Sequence, residues 1–120
     1  MDKTVFIFDD DNDILELCRI LLSSRGYQVH TSNSCIDAVE QVAGARPGVV
    51  LMDNKIPDTG GILAVKALKS DGRTRNVPVI FFSANTNVRE LSEQAGADRF
   101  IQKPFDIHSL EKMVEESIRG

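Results

Sequence analysis

The sequence predicts an α/β fold in which one parallel five-stranded sheet carries helices on both faces. Three observations predict it: short apolar runs without alternation, helical apolar periodicity between these runs, and a length of 120 residues. Strands that are buried on both faces have continuous apolar sequences, and strand–helix alternation is typical of doubly wound sheets. Compact domains most often have about 100–150 residues. We therefore expect a single doubly wound (βα)5 domain over residues 1–120.

Five segments are predicted strands. The three strong ones, residues 5–8, 49–52 and 79–82, are rich in β-branched and aromatic residues and lack alternation. Two weaker segments, residues 27–31 and 98–101, complete the alternation of strand and helix. Right-handed crossovers between parallel strands then place the helices on both faces of the sheet.

Apolar residues at helical spacing predict five helices, each with one stripe that faces the sheet. In chain order the stripes are Ile14, Leu17, Cys18, Leu21 and Leu22; Cys35, Ala38, Val39 and Val42; Leu63, Ala64, Ala67 and Leu68; Val88, Leu91 and Ala95; and Ile107, Leu110, Val114 and Ile118. Gly26 and Gly96 are expected to end the first and fourth helices. Both cysteines fall in these stripes, where a thiol acts as a small apolar side chain, and this favours a reducing, cytoplasmic setting.

The charge balance and the apolar segments exclude several function classes. The chain has 14 Lys and Arg against 18 Asp and Glu, a net charge of −4. This balance argues against direct binding of nucleic acid, whose phosphate backbone attracts basic surfaces. The early apolar run at residues 5–8 is too short for a signal peptide or a membrane span. No linker is recognisable, so we expect no output domain within this chain.

Polar side chains follow four of the predicted strands. In chain order they are Asp9, Asp10, Asp11, Asp53, Ser83 and Lys103, and the small residue Ala84 follows Ser83. Doubly wound sheets bind ligands beyond the carboxyl ends of the strands, where the strand order reverses. Converging carboxylates repel one another unless a cation lies among them, and hard oxygen ligands suit Mg²⁺. A carboxylate can attack a phosphoryl group when a metal and a lysine offset its charge, so this set predicts a magnesium-dependent phosphoryl site.

Each of these residues alone has a simpler interpretation. Asp11 or Asn12 could cap the first helix, and the neighbouring acids could complement its dipole. Ser83 could cap the following helix, and Lys103 could be an ordinary surface lysine. The joint occurrence of acid, hydroxyl and ammonium groups at the ends of the strands favours the functional interpretation.

Four motifs together resemble those of response-regulator receiver domains. They are Phe-Asp9-Asp10, Leu-Met-Asp53-x-x-Ile-Pro57 with Gly61, Phe-Ser83-Ala84 and Lys103-Pro104-Phe105. The resemblance covers essentially the whole chain. It implies a CheY-like, flavodoxin-like sheet of strand order 2-1-3-4-5 and a role in two-component signal transduction. It further implies that phosphorylation shifts the surface of the fourth helix, fifth strand and fifth helix between inactive and active states.

The same resemblance implies how phosphate and metal bind. Asp53 would accept a phosphoryl group from a histidine kinase or from the histidine of a phosphotransfer protein. Mg²⁺, with Mn²⁺ as an alternative, would be the cofactor. Asp10 would bind it directly, Asp9 would support it through water, and Asp53 and the backbone carbonyl of Lys55 would complete the protein ligands.

By the same comparison, three residues contact the phosphoryl group. Lys103 would pair with it, Ser83 would donate its hydroxyl, and Ala84 would leave space beside the main chain. Ser83 would also act as a switch together with Phe100, whose ring swings inward in this family as the hydroxyl residue moves. An ordinary core role for Phe100 stays open.

Two positions are expected to set the lifetime of the acyl phosphate. Lys55 lies two residues after the acceptor and Asn85 two residues after the hydroxyl residue, and in the family these places govern access of water. A long Lys55 could screen the phosphate, or it could pair with Asp58 and leave the site open. The Lys103–Pro104 bond is one at which a cis form is accessible.

Two other functions stay open at this point. Asp9-x-Asp11-x-Asp13 imitates the motif of haloacid-dehalogenase-like phosphatases, with Asp9 as nucleophile, although a later acidic metal pair and a cap domain are missing. The fold could also serve as a binding module that is never phosphorylated.

The expected partners are a kinase or phosphotransfer protein, and an output domain or downstream protein at the switching surface. The sequence is compatible with a monomer and with a phosphorylation-dependent dimer. It is equally compatible with a stand-alone protein and with a piece of a larger regulator.

Overall fold

One parallel sheet forms the centre of the molecule. The computed structural model describes residues 3–56 and 60–119. Its strands pair in the order β2-β1-β3-β4-β5, with every neighbouring pair parallel. The strands are β1 (Thr4–Phe8), β2 (Gln28–Ser32), β3 (Val49–Asp53), β4 (Val79–Ser83) and β5 (Arg99–Gln102). This order confirms the predicted doubly wound fold.

Five helices cover the two faces of the sheet. They are α1 (Asn12–Ser23), α2 (Ala38–Ala45), α3 (Gly61–Ser70), α4 (Val88–Ala95) and α5 (Ile107–Arg119). One apolar cluster packs α2, α3 and α4 against the sheet, and a second packs α1 and α5 against the other face. None of the helices in the described ranges has the length and apolar character needed to cross a bilayer.

The burial of the strands explains their sequences. Every residue of β1, β3 and β4 is buried, whereas the edge strands β2 and β5 are partly exposed. Central strands need apolar side chains on both faces, because helices cover both. Along β4, Phe81 belongs to the cluster with α2, α3 and α4, and Phe82 belongs to the cluster with α1 and α5.

Three of the predicted helical stripes need correction. Leu17 is 57% exposed and Leu63 is 54% exposed, although both were predicted to face the sheet. Leu15 and Val65 are buried in their place. In both helices two overlapping apolar stripes satisfy the same spacing, and only packing against the sheet selects one. Cys35 is a buried thiol, but it precedes α2 rather than lying in it.

The helix ends follow local capping chemistry. The carboxylate of Asp11 accepts a hydrogen bond from the N–H of Asp13 at 2.9 Å, so Asp11 is the N-cap of α1. Gly96 ends α4 with a φ of 84°, as predicted. The helix α1 ends at Ser23, three residues before the predicted Gly26. Gly26 instead takes a φ of 90° in the turn that leads to β2.

Candidate functional site

The carboxyl ends of β1, β3 and β4 lie side by side. Asp9 directly follows β1, Asp53 is the last residue of β3, and Ser83 is the last residue of β4. The register aligns Asp53 with Phe82 on the neighbouring strand. Strand order reverses between β1 and β3, which is where doubly wound sheets bind ligands.

Three carboxylates meet at this reversal point. Oxygen atoms of Asp9, Asp10 and Asp53 all lie within 4.8 Å of one another. Asp9 and Asp53 are buried, and Asp10 is exposed at the rim. The fold therefore brings together the three acidic residues that the sequence predicts as metal ligands.

Lys103 joins two of these carboxylates. Its Nζ donates to Asp9 Oδ2 at 2.8 Å and to Asp53 Oδ1 at 3.1 Å. Its backbone N–H donates to the carbonyl of Ser83 at 2.8 Å, and the Lys103–Pro104 peptide bond is cis. The simpler interpretation of Lys103 as a surface lysine is therefore wrong, because only 17% of its side chain is exposed.

Burial and charge act against each other on these groups. Burial raises the pKa of Asp53 to about 6, and repulsion from Asp9 adds to this, while Lys103 opposes it. Burial also raises the pKa of Asp9, and Lys103 again opposes the change. Burial would lower the pKa of Lys103, but its bonds to Asp9 and Asp53 outweigh burial and raise it. One lysine thus compensates the carboxylates only in part.

The donor set fits a divalent cation. Three carboxylates and one ammonium carry −3 + 1 = −2 when all are charged, so a divalent cation balances the site. The side-chain ligands that these residues provide are all oxygens, which Mg²⁺ prefers. Asp10, which provides one of them, is exposed to solvent. The residues present therefore fit the magnesium ion that the sequence predicts.

The loop after β4 carries the predicted phosphate contacts. Ser83 is buried, and its Oγ accepts a hydrogen bond from the backbone N–H of Asn85 at 3.1 Å. Among the described residues, Ser83 Oγ makes this one hydrogen bond, in which it is the acceptor. The hydrogen of the hydroxyl is therefore available for donation. Ala84 is exposed and lines a groove together with Lys103, and Asn85 is half-buried.

Two further predicted residues lie at the surface. Phe100, on β5, is 38% exposed, so the alternative of an ordinary core role is wrong. Lys55 is exposed two residues after Asp53. Pro57 of the third-strand motif and Asp58, the alternative partner of Lys55, lie outside the described residues.

Sequence reasoning missed two residues that shape the site. A Cβ atom at Gly61 would lie 2.2 Å from the carbonyl oxygen of Asp53, so only glycine allows α3 to start this close to β3. The Nζ of Lys103 lies 4.7 Å from the centre of the Phe82 ring. Both residues belong to motifs quoted above, Gly61 to the third-strand motif and Phe82 to Phe-Ser83-Ala84, but the motifs alone do not reveal these contacts.

A groove borders the site on the side of α1. It has a volume of about 320 Å³ and is lined by Ile14, Leu17, Cys18, Ala84, Lys103, Pro104 and Phe105. Leu17, whose exposure the helical pattern did not predict, is one of the residues that line this groove. Burial raises the pKa of the Cys18 thiol to about 11, so this residue is an apolar part of the wall rather than a nucleophile.

Comparison with known proteins identifies the family. The response regulator receiver domain model matches residues 5–115. The polar-differentiation response regulator DivK of Brucella anthropi is 30% identical over 109 residues, which are 89% of this chain and 89% of DivK. The response regulator MprA of Mycobacterium ulcerans is 30% identical over 112 residues. That match covers 92% of this chain and 47% of MprA, so the chain spans about half of that relative.

A solved structure gives the same result. The receiver domain of the sensor histidine kinase PA1611 from Pseudomonas aeruginosa PAO1 has a TM-score of 0.91 and 26% identity, with both chains fully covered. It carries a magnesium ion coordinated in its active site cleft. Fold, acidic cluster and sequence matches agree, and the chain belongs to the response regulator receiver domain family of two-component signalling.

Proposed function

We propose that Asp53 accepts a phosphoryl group from a histidine kinase or from the histidine of a phosphotransfer protein, in a magnesium-dependent reaction. One observation carries this proposal: Lys103 bridges Asp9 and Asp53 at the carboxyl ends of the strands, beside a third carboxylate. Such a site offers a nucleophilic carboxylate, a cation for the phosphoryl oxygens and ligands for a metal.

The transfer step replaces one bond to phosphorus with another. A carboxylate oxygen of Asp53 attacks the phosphorus of phosphohistidine, and the P–N bond breaks as the O–P bond forms. The imidazole nitrogen keeps the electron pair of the broken bond and takes up a proton. The ammonium of Lys103, 3.1 Å from Asp53, offsets charge on the phosphoryl oxygens.

Asp9, Asp10, Asp53 and the backbone carbonyl of Lys55 would hold the metal. When bound, Mg²⁺ supplies positive charge to the oxygens of the transferred group. The receiver domain of PA1611, with magnesium in its cleft, supports this choice of ion. Mn²⁺ prefers the same class of oxygen ligand and is the alternative.

Ser83, Ala84 and Lys103 would receive the phosphoryl group, and Ser83 and Phe100 would report it. The Ser83 hydroxyl has a hydrogen free to donate to a phosphoryl oxygen. The ring of Phe100, now partly exposed, would turn inward and change the surface of α4, β5 and α5. An output domain, a downstream protein or a second copy of the chain would bind the changed surface. Phosphorylation thus shifts an equilibrium between two states.

Lys55 and Asn85 would tune the lifetime of the acyl phosphate. Lys55 is exposed two residues after the acceptor, and Asn85 is half-buried two residues after Ser83. A side chain at each of these positions would admit or exclude the attacking water.

The two alternative functions are less well supported. A phosphatase would use Asp9 as its nucleophile, but both carboxylate oxygens of Asp9 already accept hydrogen bonds. Its Oδ1 accepts from the N–H of Asp11, and its Oδ2 accepts from Lys103. A binding module that is never phosphorylated would leave two buried carboxylates without a role that offsets the cost of burying them.

The proposal is tested with a small phosphodonor. The protein is incubated with acetyl phosphate and Mg²⁺, and its intact mass is measured beside Asp53→Asn and, as a control for charge, Asp13→Asn. We expect one phosphoryl group on the wild type and on Asp13→Asn, and none on Asp53→Asn. Label on Asp9 with release of inorganic phosphate would support the phosphatase. Absence of label with Mg²⁺ bound would support the binding module.

A further inference from the structure

The ammonium group of Lys103 has a third neighbour besides Asp9 and Asp53. The face of the Phe82 ring lies 4.7 Å from Nζ. The ring itself packs edge-on against Phe105, with 6.2 Å between the ring centres and an angle of 69° between the planes. Phe82 is fully buried near the carboxyl end of β4, so its position is set by the core.

A buried aromatic ring differs from a third carboxylate as a partner for an ammonium. The negative face of the ring attracts the cation, and the attraction is strongest where water is excluded. The ring adds no net charge to a site that already carries −2 with its acids and lysine charged. It therefore holds the ammonium in place without neutralising the charge that an incoming phosphoryl group requires.

We propose that Phe82 is a positioning residue for Lys103. Its ring adds a contact that keeps the ammonium beside Asp53 in addition to the bonds from the carboxylates. The contact of Phe82 with Phe105, two residues after Lys103, ties the ring to the loop that carries the lysine. This proposal rests on the function proposed for Asp53.

The contact between ring and ammonium is measured by a double-mutant cycle of Phe82→Leu and Lys103→Met. Leucine keeps an apolar side chain and removes the ring, and methionine keeps the apolar stem of the lysine and removes its charge. Equilibrium unfolding in urea is measured for the wild type, both single variants and the double variant without metal. We expect a coupling of about tenfold in the unfolding equilibrium constant. Additive effects of the two substitutions would overturn the proposal.

Phe81 provides the matched control. It precedes Phe82 on β4 and is also fully buried, but it packs in the cluster on the opposite face of the sheet. A cycle of Phe81→Leu with Lys103→Met should show no coupling. Coupling of equal size in both cycles would mean that loss of any buried ring disturbs Lys103, and this would also overturn the proposal.

A kinetic readout links the contact to function. At saturating acetyl phosphate and Mg²⁺, we expect Phe82→Leu to lower the phosphorylation rate constant about tenfold, and Phe81→Leu to leave it within about twofold of wild type. Equal rates for wild type and Phe82→Leu would overturn the proposal. If wild type takes no label, the function proposed for Asp53 fails, while the unfolding cycle still decides the contact of Phe82 with Lys103.

If Phe82→Leu does not fold, a variant that changes only the charge distribution of the ring tests the same contact. Pentafluorophenylalanine placed at position 82 keeps the shape of the ring and reverses the charge of its face. It should reproduce the coupling with Lys103→Met and the slower phosphorylation. Wild-type behaviour of this variant in both measurements would contradict the proposal.

Discussion

Asp53 and Asp9 experience two opposing influences at short range. Burial favours their neutral forms, and the ammonium of Lys103 favours their charged forms. Burial is the larger effect for both, so both carboxylates are held at a cost in the absence of metal. The same cost makes the site ready for a cation, because any divalent ion that binds relieves the repulsion among the acids.

The first prediction concerns the stability of the protein without metal. The pKa of Asp53 rises from 3.8 to about 6 on folding. The folded state thus holds this proton more tightly, which favours folding below the unfolded pKa. That contribution is lost as the pH rises from about 4 to about 6. Asparagine stays neutral, so Asp53→Asn should raise the free energy of unfolding by about 1–3 kcal/mol at pH about 7.

Urea unfolding in a chelating buffer measures this difference across pH. The gain from Asp53→Asn should vanish near pH 4, where both side chains are neutral in the folded protein. Asp13→Asn removes the same charge from an exposed position in the first turn of α1 and should give no such gain. A gain at neutral pH in both variants would point to net charge rather than to burial of Asp53.

The second prediction concerns Lys55. Its side chain is exposed two residues after the acceptor, and we propose that it screens the acyl phosphate from water. We expect Lys55→Ala to speed loss of the phosphoryl group by a few-fold, which corresponds to less than about 1.4 kcal/mol in the barrier. Decay of the phosphorylated protein after removal of the donor measures the rate. Lys66→Ala, at an exposed position of α3, is the control, and equal decay of Lys55→Ala and wild type would end the screening idea.

The first residue of α3 packs against the end of β3, and this contact between two elements fixes the position of Asp53. A Cβ atom at Gly61 would overlap the carbonyl oxygen of Asp53 and come within 2.9 Å of the Cα of Asn54. Because both neighbours are backbone, they cannot rotate away. The helix and the acceptor strand can approach this closely only when position 61 has no side chain.

The third prediction follows from this approach. Gly61→Ala should lower the free energy of unfolding by about 1–3 kcal/mol, because the backbone must shift. It should also weaken Mg²⁺ binding, since Asp53 moves with its carbonyl. Gly44→Ala is the control: its Cβ would meet nothing within 4 Å in α2, and alanine favours helix there by about 1 kcal/mol. Urea unfolding and magnesium titration measure both effects, and wild-type values for Gly61→Ala would contradict the prediction.

The fourth prediction compares two buried serines. Ser117, in α5, has a buried hydroxyl without a partner among the residues that the structure describes. The hydroxyl of Ser92, in α4, donates to the carbonyl of Arg99 at 3.4 Å. Both lie in helices, so the preference of alanine for helix affects both equally. Ser117→Ala should therefore stabilise the protein by about 1 kcal/mol more than Ser92→Ala, and thermal and urea unfolding should rank them in that order.

The helix α1 shows what the spacing of apolar residues does and does not predict. Periodicity predicted the helix itself, and the capping role of Asp11 was among the interpretations that the residues allowed. The face that meets the sheet was predicted only in part: Cys18 and Leu22 are buried, but Leu17 is exposed and Leu15 is buried. Two apolar stripes overlap on this helix, and spacing alone does not distinguish the core stripe from the one beside the groove.

The sheet as a whole turns separate sequence motifs into one site. Three continuous apolar runs predicted buried parallel strands, and parallel strands place their carboxyl ends at one edge. The meeting of Asp9, Asp53 and Lys103 followed from that rule. Their hydrogen-bonding pattern did not, because the bridge by Lys103 and the ring of Phe82 beneath it depend on side-chain packing across the sheet.

The most direct test of Asp53 as phosphoacceptor is chemical trapping. Borohydride reduces an acyl phosphate of aspartate to homoserine, and peptide mass spectrometry then locates the altered residue. After incubation with acetyl phosphate, we expect homoserine at position 53, formed with Mg²⁺ and absent when a chelator removes it. Homoserine at position 9, or none at either position although Mg²⁺ is bound, would contradict this assignment.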